Sequence, residues 1–233
     1  MQRKFIQEKI DELGFSLDDF VLGDFDLIGE YCAKKQRGRD SDLYKTAGAF
    51  FRPNYERGLL ISALIQEYDV KSFLEIGFGR GYGTLCAAMA MHENGGGVIT
   101  TVDPTFDQNH INMLKQIFPK EWFDMINFVN KPSQDYLFEH DDKFDFVYID
   151  GDHRYEAVKR DWELCEHRYE RLLLFDDYNE VKGVSSEIQC NEVIDEIEDE
   201  SKELIIMDRR IFFDDRGYTD EKIKYGQVLL TRE

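Results

Sequence analysis

"FLEIGFGRGYGT", residues 73–84, decides the fold of this chain. Phe73, Leu74 and Ile76 form a short apolar run suited to a buried strand, and "TLCAAMAMH" after the last glycine suits a helix. Between them Gly77, Gly79, Gly81 and Gly83 make a strand-to-helix turn at which a ligand can approach the main chain. Outward from that turn the chain alternates. A helix around "GLLISALIQEYDV" precedes it, and the strands "GVITTVD", "INFVN", "FDFVYID" and "RLLLFDD" follow, with helices expected at "HINMLKQIF", "YEAVKRDWELCEH" and "NEVIDEIEDESKE". Strands separated by helices imply parallel crossovers and a doubly wound sheet. The last two strands, "LIIMDRRIFF" and "YGQVLLTRE", have too little chain between them for a helical crossover and are expected to pair antiparallel.

The expected fold is therefore α/β, a mostly parallel seven-stranded sheet with an antiparallel last strand. It is preceded by a helical arm over residues 1–54 and occupies residues 55–233. In the arm, Ile6, Ile10 and Leu13 sit at helical spacing before Gly14, and Leu27, Ile28, Tyr31 and Cys32 repeat the pattern after Asp24. A basic cluster, "KKQRGRD" at 34–40, reads as a solvated loop.

With 29 Lys and Arg against 48 Asp and Glu, the formal charge of −19 repels phosphate backbones and anionic lipid surfaces, which argues against nucleic acid and membrane as partners. Cys32, Cys86, Cys165 and Cys190 lie far apart with no C-x-x-C pair and read as reduced, buried thiols. The charged first residues lack the apolar core of a signal peptide, and no window reaches eighteen apolar residues, so a cytoplasmic protein is expected.

Neither G-x-G-x-x-G nor the P-loop pattern fits the turn, because Tyr82 or Thr84 stands where the third dinucleotide glycine belongs and no lysine follows. Glu75, two residues before the first glycine, would repel a pyrophosphate and suits a ligand bearing an ammonium group. In this the stretch resembles the class I S-adenosylmethionine-dependent methyltransferases, whose first motif is acid-x-Gly-x-Gly-x-Gly. The resemblance implies that Glu75 serves the amino group of the methionine moiety, that Gly77 to Gly83 accommodate its carboxylate, and that Asp103, ending "ITTVD", holds the ribose hydroxyls. "NKPSQD" follows the next strand, and similarity to catechol-type O-methyltransferases implies adenine contacts from Ser133 and Gln134.

Asp150 ends one strand and Asp176 and Asp177 end the next, and in a doubly wound sheet such ends gather ligands. Three oxygen donors describe a hard cation, Mg²⁺ (or Mn²⁺). Neighbours in a regular strand point to opposite faces, so Asp176 and Asp177 can share one ion only where the strand breaks. The D-G-x-H of "YIDGDH" and the later acid pair look like the metal-dependent O-methyltransferases of macrolide sugars, which implies metal ligation by Asp150, Asp176 and Asp177 and a general base at His153. Asp152 stands where the N-cap of the next helix belongs.

The expected activity is methyl transfer to a hydroxyl of a small molecule or sugar, with at most a second copy of the chain, as a homodimer, for partner. An NAD-dependent sugar-modifying oxidoreductase and a catalytically silent cofactor-binding scaffold are the alternatives.

Overall fold

A computed structural model of the chain describes residues 1–15, 55–180, 188–206 and 225–232. The helix expected after Asp24, Cys32, the basic cluster at 34–40 and the connection between the last two strands lie outside those residues.

The eight described strands form one sheet: β1 (Gln2–Phe5), β2 (Ser72–Ile76), β3 (Val98–Val102), β4 (Ile126–Val129), β5 (Phe144–Ile149), β6 (Tyr169–Asn179), β7 (Glu203–Ile206) and β8 (Tyr225–Thr231). Their order is β1-β7-β8-β6-β5-β2-β3-β4. Every neighbouring pair is parallel except those of β8, which runs antiparallel to both β6 and β7. The doubly wound sheet with an antiparallel last strand is thus present, with one strand beyond the seven expected. That strand is β1, which pairs with β7 ahead of the expected first helix. Its sequence, QRKF, is exposed except at half-buried Lys4, so it carries no apolar alternation to read. Charge helps to hold this segment, since Lys4 and Lys9 pair with Glu203 of β7 at 2.7 and 2.5 Å.

The described helices are α1 (Ile6–Glu12), α2 (Tyr55–Glu67), α3 (Tyr82–Glu93), α4 (Gln108–Ile117), α5 (Lys120–Phe123), α6 (Ser133–Glu139), α7 (Tyr155–Cys165) and α8 (Cys190–Glu196). They cover the sheet on both sides, and strand parity decides which side each residue meets. Phe73, Phe146, Tyr148, Leu172 and Leu174 pack with Leu60 and Leu64 of α2 and Cys86 and Met89 of α3. Leu74, Ile76, Val147, Ile149, Leu173 and Phe175 pack with Val158 and Cys165 of α7 and Ile194 of α8. Glu75 shares its side with Phe73, and Asp176 shares its side with Leu174; both therefore face the α2–α3 layer. Cys86, Cys165 and Cys190 are buried, and no disulfide joins them. Among the described residues no helix is long and apolar enough to cross a membrane.

Candidate active site

The glycine turn is clamped between its neighbours. Gly77 N donates to Val102 O of β3 at 2.9 Å, and Asp150 N donates to Ile76 O at 2.9 Å. Gly77 has φ +93°, and a Cβ there would sit 2.6 Å from the Asp150 carbonyl carbon and 2.7 Å from Gly151 Cα. Only a bare backbone lets the exit of β2 pass so close to that of β5. Gly79 and Gly81 also have positive φ. Gly83 lies within α3, where a Cβ would come 2.6 Å from Glu75 Oε1.

That last contact locates Glu75. The Glu75 carboxylate is 1% exposed and accepts hydrogen bonds from Thr84 Oγ1 and from Thr101 Oγ1, the latter at 2.6 Å. The parity of β2 directs it inward, where it supports the turn from beneath. Burial raises its carboxyl from the usual 4.5 to about 7, against the two threonine hydrogen bonds.

Asp103, just past β3, is 8% exposed and draws the turn toward itself. Its Oδ2 accepts from Phe78 N at 3.1 Å and Gly79 N at 3.2 Å, while Oδ1 accepts from Thr105 N at 2.7 Å and Thr105 Oγ1 at 2.6 Å. A ribose hydroxyl binding here would share an acceptor already in use. Ser133 and Gln134 open α6 and are both half-buried. The Ser133 hydroxyl donates to Asp161 Oδ1 at 2.5 Å. Asp161, 3% exposed on α7, was not singled out from the sequence; burial lifts its carboxyl to about 6 despite the Ser133 bond. His110 of α4 was missed too. Its Nε2 lies 2.9 Å from Arg80 O and so ties down the tip of the turn.

The three aspartates converge only in part. Asp176 is 1% exposed; its Oδ2 accepts from Tyr148 OH at 2.9 Å and pairs with Arg57 Nη2 at 2.6 Å. Asp150 Oδ2 accepts from Arg57 Nη1 at 3.3 Å and lies 3.3 Å from Tyr148 OH. Burial and neighbouring Asp176 push the Asp150 carboxyl well above the ordinary range, and Arg57 opposes them. Asp177 goes elsewhere. The register of β6 against β8 slips between Phe175 and Tyr178, and Asp177 takes φ +53°, the left-handed region. This bulge brings Asp177 Oδ2 within 3.1 Å of His153 Nε2. The break that the sequence required is present, yet the two acids use it to separate. Arg57, on the first turn of α2, was missed because a single Arg beside an apolar helical pattern gives no signal.

Asp150, His153 and Asp177 each offer one donor atom within 4.8 Å of the others, the only such group of three among the described residues. One imidazole nitrogen and two carboxylate oxygens fit a divalent cation. Asp176 is not in this group, and its Oδ2 is engaged by Arg57 and Tyr148. Asp152 does not cap α7 directly, because the N-cap is Arg154. Instead Asp152 Oδ1 accepts from Arg154 N at 3.1 Å, and the Arg154 guanidinium beside it holds its carboxyl down at about 2. For a nucleotide-like cofactor, the exposed tip Gly79–Arg80 fits main-chain contact: nothing lies within 4 Å of where a Gly79 Cβ would be.

Residues 74–178, less than half of the chain, match the family model of a methyltransferase domain. No curated protein matches the chain. Among solved structures the fold is similar to the O-methyltransferase TomG of Streptomyces achromogenes, involved in tomaymycin synthesis, in complex with S-adenosylmethionine. That match has 15% identity and a TM-score of 0.58, covering 89% of this chain and 90% of that one. Cofactor-bound Rv0187 from MTB matches at 16% identity and TM-score 0.59, over 93% and 94% of the two chains. An O-methyltransferase from Bacillus cereus in complex with S-adenosylhomocysteine matches at 18% identity and TM-score 0.56, over 88% of this chain and all of that one. At these identities the likeness establishes a shared fold.

Proposed function

We propose that this chain is an S-adenosylmethionine-dependent O-methyltransferase acting on a hydroxyl of a small molecule or sugar. The observation that carries the reading is the pairing of His153 Nε2 with Asp177 Oδ2 at 3.1 Å, beside Asp150, at the strand ends that flank the glycine turn. The methyltransferase-domain match over residues 74–178 supports the same reading.

S-adenosylmethionine would supply an electrophilic methyl group on its sulfonium. The turn around Gly79, with Asp103, Ser133 and Gln134, would hold that cofactor at the carboxyl ends of β2 to β4. A divalent cation at Asp150 and Asp177, Mg²⁺ or Mn²⁺, would lower the pKa of the acceptor hydroxyl. His153 would accept the hydroxyl proton, and Asp177, whose Oδ2 lies 3.1 Å from Nε2, would stabilise the imidazolium that forms. On transfer the methyl C–S bond would break as the O–C bond forms, with its electron pair staying on the thioether. Glu75 and His110 keep the turn in shape from below and from its tip.

The experiment is turnover with S-adenosylmethionine and a set of hydroxyl acceptors, namely catechol, caffeic acid, and free and nucleotide-linked hexoses. It is read as S-adenosylhomocysteine release and as gain of a methyl by mass spectrometry, with Mg²⁺ or with EDTA. Methylation that stops in EDTA while S-adenosylhomocysteine still binds is expected. Full turnover in EDTA removes the cation from the account. Failure to bind either form of the cofactor removes the methyltransferase reading.

A further inference from the structure

The carboxylates at the ends of β5 and β6 already have a cation, and it belongs to the chain. Arg57 reaches from α2 with its side chain 15% exposed and spans two acids, with Nη1 3.3 Å from Asp150 Oδ2 and Nη2 2.6 Å from Asp176 Oδ2. Tyr148, fully buried between them, places its hydroxyl 3.3 Å from Asp150 Oδ2 and 2.9 Å from Asp176 Oδ2, and its one proton goes to the nearer, Asp176. Gln227 Nε2 of β8 lies 3.5 Å from the same phenol oxygen. A planar guanidinium matches two carboxylates as a fork, which an ammonium or a spherical ion does not. Strand parity makes the arrangement obligatory: Tyr148 and Asp176 face the α2–α3 layer from which Arg57 comes, whereas Asp177 leaves through the bulge.

From this geometry we infer that Arg57 is a positioning residue acting as the fixed cation of the Asp150–Asp176 pair, and that it withholds Asp176 from metal ligation, leaving Asp150 and Asp177 as the carboxylate ligands. Asp150 meets Arg57 and Tyr148 through Oδ2 alone, so its Oδ1 stays available to a ligand. The consequence is a gain on removal. Without Arg57, a dication entering the site no longer meets a guanidinium charge and can recruit Asp176 as a further ligand. This inference deepens the methyltransferase reading by assigning the cation at the same site.

The test is Mn²⁺ binding at pH 8, read by electron paramagnetic resonance titration without cofactor or acceptor. Arg57→Gln is expected to bind Mn²⁺ at least tenfold more tightly than wild type, including the case in which wild type binds none measurably. Arg57→Lys, which keeps the charge but loses the fork, is expected to fall between wild type and Arg57→Gln. An Arg57→Gln affinity equal to or weaker than wild type overturns the inference. Should Arg57→Gln fail to fold, Asp176→Asn and Asp177→Asn decide it. The expected result is affinity within threefold of wild type for Asp176→Asn and at least tenfold loss for Asp177→Asn; equal losses overturn it. Calorimetry with S-adenosylhomocysteine on the wild type keeps the two readings apart. A chain that binds no cofactor contradicts the methyltransferase proposal while the Mn²⁺ comparison still stands.

Discussion

Replacing Glu75 by Gln removes a charge that the fold holds at a cost. In the folded chain the Glu75 carboxyl is raised from 4.5 to about 7 by burial. Between those two values the folded state holds a proton that the unfolded state has released. The stability tied to that proton is fully present below pH 4.5 and lost as pH rises through about 7. At ~1.4 kcal/mol per pH unit, the loss between pH 5 and pH 8 comes to about 2–3 kcal/mol. Gln has the shape of the protonated acid and can accept from one threonine hydroxyl while donating to the other, with Thr84 and Thr101 both in place. Glu75→Gln should therefore be within about 1 kcal/mol of wild type at pH 5 and more stable than wild type by about 2 kcal/mol at pH 8. Urea unfolding of both proteins at the two pH values measures this, and taking the difference cancels most other titrating groups. An equal stability difference at pH 5 and pH 8 would refute the burial argument. S-adenosylhomocysteine calorimetry on the same variant separates support of the turn, with affinity within about threefold, from direct contact with the amino group, where a lost charged hydrogen bond of about 1.5–3 kcal/mol means at least tenfold.

Gly77→Ala should cost about 2–5 kcal/mol in thermal or urea unfolding, combining left-handed backbone strain with overlap on Asp150; a cost under about 1 kcal/mol would mean that the turn relaxes freely. Asp103→Ala removes the acceptor for Phe78, Gly79 and Thr105 and should weaken S-adenosylhomocysteine several-fold by calorimetry. Unchanged affinity takes Asp103 out of the cofactor site. His153→Ala should lower kcat about 10²- to 10⁴-fold, with whichever acceptor turns over, and leave cofactor affinity as it was. A two- to threefold drop would make His153 a structural partner of Asp177 alone.

The sheet was legible because its strands carry their burial in residue order. "FLEI" and "FDFVYI" are apolar on both faces, as strands between two helical layers must be. The glycine turn and the acids after β3 and β5 were legible from their places at strand ends, whereas β6 runs on past Asp176 and Asp177 to Asn179. The direction of each acid was not legible. Asp176 and Asp177 differ by one residue, and only the bulge opposite Val228 and Gly226 sends one to Arg57 and the other to His153. The inward side of Glu75 follows from its parity with Phe73. Arg57, His110 and Asp161 were silent because each acts on a residue far away in sequence, Asp150, Arg80 and Ser133 respectively. β1 was silent because its partner, β7, supplies the pairing, while its own residues show no apolar alternation and only Lys4 is half-buried.

The central claim is that the crevice around the glycine turn takes S-adenosylmethionine, and a calorimetric titration of the purified chain with S-adenosylhomocysteine and, separately, with NAD tests it most directly. The account predicts one S-adenosylhomocysteine bound per chain and no heat from NAD. Saturable binding of NAD with none of S-adenosylhomocysteine would contradict it.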